Sequence, residues 1–265
     1  MNRAAKSTET ARPAERDLVG SLERGLAVIE ILAAHADGMT LTEMAEAAGL
    51  TRAGARRFLL TLVATGYATQ AGRRFSLSPK LISVARSWLA GSSLWTYAEP
   101  FMREVSTALN ESCSAAVLSG RDVVYVARIP GRHILSVALH VGTRLPAYCT
   151  SMGRVLLAGL APEERTALLS ASDIRALTPK MVTDRTLLAK AIEEAAANGY
   201  AIVDEELELG LRSIAVPLRD RSGAVVAAIN VSTQSARMSV DEMRRDFLPL
   251  LMNAAARIED YFVVQ

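Results

Sequence analysis

Three arginines stand within the run "GLTRAGARRFLLTL" (residues 49–62), with no acid among them. Arginines so placed either solvate a helix face or meet a polyanion. On a helix advancing about 100° per residue, Ala55, Phe58, Leu59 and Leu62 share one face and are assigned to a core. Arg52, Ala53, Arg56 and Arg57 fall outside that arc. Leu60 also lands on the outer side and is expected to pack against a neighbouring element. A second basic pair, Arg73 and Arg74, follows in "YATQAGRRFSLSP". Residues 50–80 carry six basic residues and no acidic one, although the formal net charge of the 265-residue chain is only +2. A basic patch on a near-neutral chain implies a polyanionic partner for that segment alone.

A second candidate site is "YCTSMGRVLLAG". A helix starting near Ser151 would aim free backbone N–H groups and its positive dipole end at whatever lies before it, which suits a carboxylate. Read from the residues alone, a start capped by its own Ser or Thr is the plainer account. "DEELELG" pairs carboxylates but has no His partner or nucleophile beside it, so it reads as a solvated loop. Cys149 has no neighbouring base and reads as a small, partly buried residue. With Cys113 it forms neither metal-ligand spacing nor a disulfide framework, which fits a reduced, cytoplasmic compartment. His35, His133 and His140 are scattered, so no structural metal is expected, and no cofactor or catalytic residue is assigned. No apolar run approaches a membrane span, and "MNRAAKSTETARPAERD" reads as a disordered tail over residues 1–17, without the apolar core of a secretory signal.

These residues need elements to position them. "SLERGLAVIEILAAH" has helical period through Leu22, Leu26, Ile29 and Leu32–Ala33, and stops near Asp37-Gly38. Thr40 and Glu43 form a capping box opening a short second helix. Gly49 suits a tight turn, and Thr51 caps a third helix to about Ala64. Two short strands around Ala71-Gly72 make a basic hairpin. Together these predict a winged helix-turn-helix over 18–78, whose third helix meets DNA in the major groove. Ser78-Pro79 opens a connector helix over 79–92. A helix follows in "SLWTYAEPFMREVSTALN", bent or split at Pro100. Strands are expected in "CSAAVLSG", "VVYVARI", "HILSVALHV", "YAIV", "LRSIAVPL" and "AVVAAINVS", the last two a hairpin around "RDRSG". Helices are expected from Ser151, after Ala161-Pro162, in "RTLLAKAIEEAAANG" and from Val240 to Tyr261. Residues 93–265 thus read as an α+β domain with largely antiparallel strands.

Over residues 18–263 the chain resembles the IclR family of bacterial transcriptional regulators. The segments that carry the resemblance are "SLERGLAVIEIL", "LTEMAEAAGLTRAGARRFLLTL", "YATQAGRRFSLSPKL", "RLPAYCTSMGRVLLAGL" and "GYAIVDEELELGLRSIAVPLRDRSGAVVAAINVS". "TRAGARRFLLTL" and "CTSMGRVLLAG" further resemble the branch that controls protocatechuate and p-hydroxybenzoate catabolism, the β-ketoadipate pathway. The resemblance implies a GAF/PAS-like effector-binding and oligomerisation domain over 93–265 with a central antiparallel sheet. It places a small organic acid, aromatic or dicarboxylic, against Ser151, Met152, Gly153, Ser213, Asn230 and Ser232. Two positions depart from the family pattern: Val203 stands where a first acid is common, and Asn230 where a serine occurs. A larger or more apolar acid is therefore favoured over a small hydroxylated one. His133 and His140 read as ordinary histidines, or else help Arg128 or Arg144 balance a second carboxylate.

The combined expectation is a cytoplasmic, ligand-responsive regulator that binds a double-stranded DNA operator through Thr51, Arg52, Ala53, Arg56, Arg57, Arg73 and Arg74. Paired half-sites call for a homodimer, or a homotetramer built from two. The rival readings are an enzyme domain processing a small acid, and a second domain that only oligomerises.

Overall fold

Thr40 organises the N-terminal unit. Its hydroxyl accepts the Glu43 N–H at 3.3 Å while the Glu43 carboxylate accepts the Thr40 N–H at 2.7 Å, the reciprocal capping box that the sequence predicts. The computed structural model describes residues 18–84, 93–132 and 139–264. The predicted tail at 1–17 lies outside them. The chain divides into two compact units, Met1–Trp88 and Leu89–Gln265.

In the first unit, α1 (Gly20–Ala33), α2 (Leu41–Ala47) and α3 (Arg52–Ala64) precede the hairpin of β2 (Ala68–Ala71) and β3 (Arg74–Leu77). Gly72 turns the hairpin at φ +60°, a conformation that glycine adopts without a Cβ penalty. A two-residue strand that the sequence reading missed, β1 (Met39–Thr40), pairs with β3 and completes a sheet in the order β1-β3-β2. Val28, Leu32, Met44, Ala55, Leu59 and Phe75 are buried at its core. Leu60 is half-buried against that core, as expected, whereas Phe58 is only half-buried. The Leu22–Leu26 ridge of α1 is exposed, because the buried stripe passes through Val28 and Leu32, roughly a third of a turn away. Residues 80–84 continue as helix; the rest of the predicted connector, 85–92, lies outside the described residues.

The second unit is built on six antiparallel strands in the order β6-β5-β4-β9-β8-β7. They are β4 (Ser112–Ser119), β5 (Asp122–Ile129), β6 (Arg144–Pro146), β7 (Ala201–Asp204), β8 (Leu211–Arg219) and β9 (Val225–Gln234). Strand alternation sends Ile214, Val216, Ile229 and Val231 to one face, against α4 (Ser93–Leu109) and α8 (Leu248–Val264). Ala116, Tyr125, Ala215 and Ala228 go to the other, under α5 (Ser151–Ala158), α6 (Pro162–Ala171) and α7 (Arg185–Asn198). The result is a three-layered α+β unit.

Three expectations change here. Helix α4 is not split at Pro100, which removes one backbone donor without ending the helix. The terminal helical segment contains a π turn at Met243–Phe247 and extends to Val264. The strand expected in "HILSVALHV" falls mostly on residues outside the description, and Leu139–Val141 are not in a strand; the short β6 at Arg144–Pro146 was not anticipated.

A 3₁₀ turn, Ala147–Cys149, leads directly into α5, and the two are pressed together at Gly153. A Cβ at Gly153 would overlap the backbone of Ala147, including its carbonyl oxygen. Gly153→Ala is therefore expected to destabilise the protein by about 1–3 kcal/mol, the usual cost of forcing atoms into a packed core. A urea titration showing an unchanged midpoint would contradict this close approach.

Candidate functional site

The basic surface of the first unit separates into free and engaged cations. Thr51 caps α3, its hydroxyl accepting the Gly54 N–H at 3.1 Å, so the first turn of α3 lies at the surface with its N–H groups outward. Arg52, Ala53, Arg56 and Arg57 are exposed. Among the described residues, the side chains of Arg52, Arg56, Arg57 and Arg73 make no hydrogen bond or ion pair. Arg73 stands exposed at the hairpin turn. Arg74 differs from this group: its guanidinium donates to the Gly38 carbonyl at 2.7 Å and lies 3.8 Å from the Glu43 carboxylate. It fastens the hairpin to the capping box, although it remains partly exposed. Lys80 is likewise engaged, donating to Thr65 O at 2.7 Å and lying over the Tyr67 ring.

The second unit encloses a cavity where α5 begins. Ser151, Ser213, Asn230 and Ser232 line it, with Tyr125, Cys149, Thr150, Val203, Leu207 and Leu211 among the other walls. Thr150 caps α5 by accepting the Gly153 N–H at 3.1 Å, so the self-capped start expected from the residues is present. The cap nevertheless leaves the side chains of the next residues free. Ser151 Oγ and Asn230 Oδ1 are buried and, among the described residues, have no hydrogen-bond partner. Ser151 is 1 % exposed and Asn230 4 %. Buried polar atoms without partners are rare in folded proteins and point to something that binds there. The space open to a water-sized sphere is about 20 Å³ within about 350 Å³ of empty volume. That is room for about one water.

Met152 and Gly153, expected to touch the effector, do not line the cavity. Met152 is fully buried in the core between α5 and the sheet, and Gly153 packs against Ala147. The i+1 and i+2 positions of a helix start rotate away from the face presented by Ser151. Val203 lines the cavity as an apolar wall where an acid is common in the family.

"DEELELG" is not a solvated loop. Glu206 is buried, and its carboxylate accepts from Arg154 Nη2 at 2.6 Å and from the Val182 N–H at 3.1 Å. Arg154 Nε also donates to Tyr148 O at 3.2 Å. Glu205 pairs with Lys180 at 2.5 Å and accepts the Gly210 N–H, which holds its carboxyl low, at about 2. The loop thereby brings Leu207 to line the cavity. Nothing in an acidic run announces this, because the partner of Glu206 lies 52 residues earlier in the chain. Tyr125, Leu207 and Leu211 were also missed; only alternation along β5 hinted that Tyr125 faces inward.

Burial pushes the Cys149 thiol up to about 12, with the Glu206 charge adding to the effect. Burial alone does the same to Cys113. Each thiol is protonated at neutral pH, so Cys149 is no ready nucleophile. A group whose folded pKa is raised gives stability that is complete below its unfolded value and lost as pH climbs through the folded one. Stability is therefore expected to fall from about pH 9 towards about pH 12. Replacing both cysteines by alanine should flatten part of that slope, as read from thermal melts across the range.

Comparison with known proteins follows this geometry. Residues 21–72 match the family described as "IclR helix-turn-helix domain", and residues 87–260 match "Bacterial transcriptional regulator IclR C-terminal". The chain is 41 % identical over 240 residues to the Pca regulon regulatory protein of Pseudomonas putida, covering 90 % of this chain and 82 % of that protein. It is 32 % identical over 249 residues to the p-hydroxybenzoate hydroxylase transcriptional activator of Acinetobacter baylyi, covering 92 % of each. Among solved structures, a transcriptional regulator from Rhodococcus sp. RHA1 is similar with a TM-score of 0.81 and 45 % identity, over 93 % of this chain and 99 % of that one. An IclR homolog from Microbacterium hydrocarbonoxydans, complexed with 4-hydroxybenzoate, has a TM-score of 0.81 and 26 % identity, over 92 % of this chain and 100 % of that one. The chain belongs to the IclR family of bacterial transcriptional regulators.

Proposed function

We propose that this protein is a DNA-binding regulator of aromatic-acid catabolic genes that responds to a small organic acid held at the start of α5. The observation that carries the effector reading is the pair of buried, unpartnered polar atoms, Ser151 Oγ and Asn230 Oδ1, in one cavity. A carboxylate there would accept from the Ser151 hydroxyl and the first N–H groups of α5, with the helix dipole favouring its charge. Ser213 and Ser232 add hydroxyls on the sheet side. Relatives named for the Pca regulon and for p-hydroxybenzoate hydroxylase, and a similar protein complexed with 4-hydroxybenzoate, support the choice of gene class and ligand class.

The DNA reading assigns Arg52, Arg56 and Arg57 to the major groove and Arg73 to phosphate or the minor groove. Their lack of internal partners supports it. Two half-sites require two copies. The exposed apolar side chains Leu22, Leu26 and Val84, around a groove also lined by Phe58 and Tyr67, suit an interface between N-terminal units. The enzyme reading is weaker, because the cavity thiol Cys149 is held protonated by burial and by the Glu206 charge, and Glu206 is itself bound to Arg154.

A thermal-shift screen of aromatic acids and β-ketoadipate-pathway intermediates, with the reaction mixtures checked for turnover, tests the function directly. Stabilisation without turnover is expected; turnover would turn the assignment to an enzyme. On DNA, Arg56→Ala or Arg57→Ala is expected to lose roughly 1–3 kcal/mol on the specific operator where the arginine reads a base. Arg73→Ala should weaken all sequences alike and reduce the salt dependence. Fluorescence anisotropy at two salt concentrations separates these patterns, and unchanged binding in all three variants would remove the residues from the interface.

For the effector, the acid is expected to bind much more tightly than its uncharged amide. Ser213→Ala and Ser232→Ala should each cost on the order of 1 kcal/mol. Calorimetry giving equal affinity for acid and amide would move the ligand elsewhere.

A further inference from the structure

The hairpin of the first unit carries two adjacent arginines in different surroundings, Arg73 and Arg74. Strands β2 and β3 have four residues each, and a two-stranded hairpin is marginally stable by itself. Its base is fastened beside the end of α3: the Ser78 N–H donates to Tyr67 O at 2.9 Å, and the Ser78 hydroxyl donates to Gly66 O. Near the tip, Gln70 Nε2 donates to Gly72 O at 2.9 Å, which fixes the turn itself but not where the turn points. Its direction depends on β1, which supplies two residue pairs, Met39 with Phe75 and Thr40 with Arg74.

Arg74 strengthens this attachment at the residue where β3 begins. Its Nη1 donates to Gly38 O at 2.7 Å and lies 3.8 Å from the Glu43 carboxylate. Gly38, at φ +73°, is pressed against the hairpin, because a Cβ there would overlap Phe75 O and Ser76 Oγ. Glu43 is held in turn by the capping box. Its carboxyl lies below the ordinary carboxylate range, chiefly through the Thr40 N–H and then the Thr40 hydroxyl, with a smaller pull from Arg74. The guanidinium thus meets a carbonyl oxygen and a negative charge, both from the segment that joins α1 to α2 and opens α2. A DNA phosphate approaching it would face that carboxylate, and like charges repel. Arg73, one residue earlier, stands exposed in the turn and, among the described residues, makes no hydrogen bond or ion pair.

We propose that Arg74 is a positioning residue for DNA binding: it ties the tip of the hairpin to the segment between α1 and α2, so that Arg73 meets phosphate from a fixed wing. The proposal rests on the DNA reading, and its test tells the two apart. Fluorescence anisotropy across a salt series would use the full chain and a labelled mixed-sequence DNA duplex, which reports phosphate contacts whatever the operator. Arg73→Ala should weaken binding about 3-fold or more and lower the salt slope by about 1. Arg74→Met should weaken it by a similar or smaller factor. The double variant should match Arg73→Ala within about 2-fold, because the tie acts through Arg73. In the free protein, amides of residues 68–77 should exchange with deuterium faster in Arg74→Met and at the wild-type rate in Arg73→Ala. Additive losses with a salt slope lowered by about 2 would make Arg74 a phosphate contact in its own right and overturn the proposal. Wild-type binding by Arg74→Met or by Arg73→Ala, or unchanged exchange in Arg74→Met, would also overturn it. Should thermal melts show Arg74→Met unfolded, Glu43→Gln carries the test. Glutamine also serves in a capping box, so that change removes only the charge beside Arg74. Removing an acid near DNA strengthens binding on charge alone, so weaker binding supports the tie, and equal or tighter binding overturns it. A triple variant, Arg56→Ala with Arg57→Ala and Arg73→Ala, that binds the duplex like the wild type would overturn the DNA reading and the proposal with it.

Discussion

The ion pair between Arg154 and Glu206 joins the helix that begins at the cavity to a loop that lines it. Both side chains are buried, and a pair so placed holds only while each charge keeps its partners. Here it does: Arg154 also donates to Tyr148 O, and Glu206 also accepts the Val182 N–H. Four segments thereby converge on one contact: the 3₁₀ turn before α5, α5 itself, the chain at Val182 and the loop after β7. Thr178 reinforces the arrangement by donating to Glu205 O at 2.7 Å. Leu207 lines the cavity because its neighbour Glu206 is anchored in this way.

That anchoring explains how unsatisfied polar atoms persist beside a well-packed core. An unpartnered buried hydroxyl costs on the order of 1–3 kcal/mol, and a fold free to relax would turn it to a partner. Ser151 cannot do so readily, because Thr150 already caps the helix and Gly153 is locked against Ala147. Asn230 uses its Nδ2 on Ser232 Oγ at 3.3 Å, which leaves Oδ1 facing the cavity. The sheet and α5 are each stabilised by contacts remote from these atoms, so the site keeps its polarity without a ligand. Pre-formed polar groups in a mostly apolar enclosure are the usual composition of a small-molecule site.

Much of this was legible in the sequence, for reasons that differ by element. The capping box at Thr40 and Glu43 and the cap at Thr51 are local, so the helix-turn-helix could be read from spacing. The Ala71-Gly72 hairpin was legible because a turn needing positive φ selects glycine. Ser213, Asn230 and Ser232 came through the resemblance, and period-two alternation explains why they share a face. What stayed hidden depends on partners distant in the chain: Arg74 with Gly38, Glu206 with Arg154, and the short β1 that exists only through β3. The side chains of Met152 and Gly153 do not line the cavity, which a motif cannot foretell, because it identifies a segment without saying which of its side chains faces inward. Two of the three named there serve packing.

The small size of the cavity bears on how such a protein can respond at all. A ligand shifts a conformational equilibrium only by its difference in affinity between two states. In this conformation the enclosed space admits about one water, far below the volume of an aromatic or dicarboxylic acid. On the proposed reading, an acid held in this cavity would need a conformation other than the one described here. The segment able to yield is bounded by its fastenings. The sheet floor is held by strand pairing on both sides of β9, and α5 is wedged at Gly153. The loop carrying Leu207 is held by ion pairs and single hydrogen bonds, which can exchange partners one at a time. On the proposed reading, the acid's contacts with the buried polar groups would supply the energy that opens it, so the atoms that select the ligand would also set how far it can shift the equilibrium.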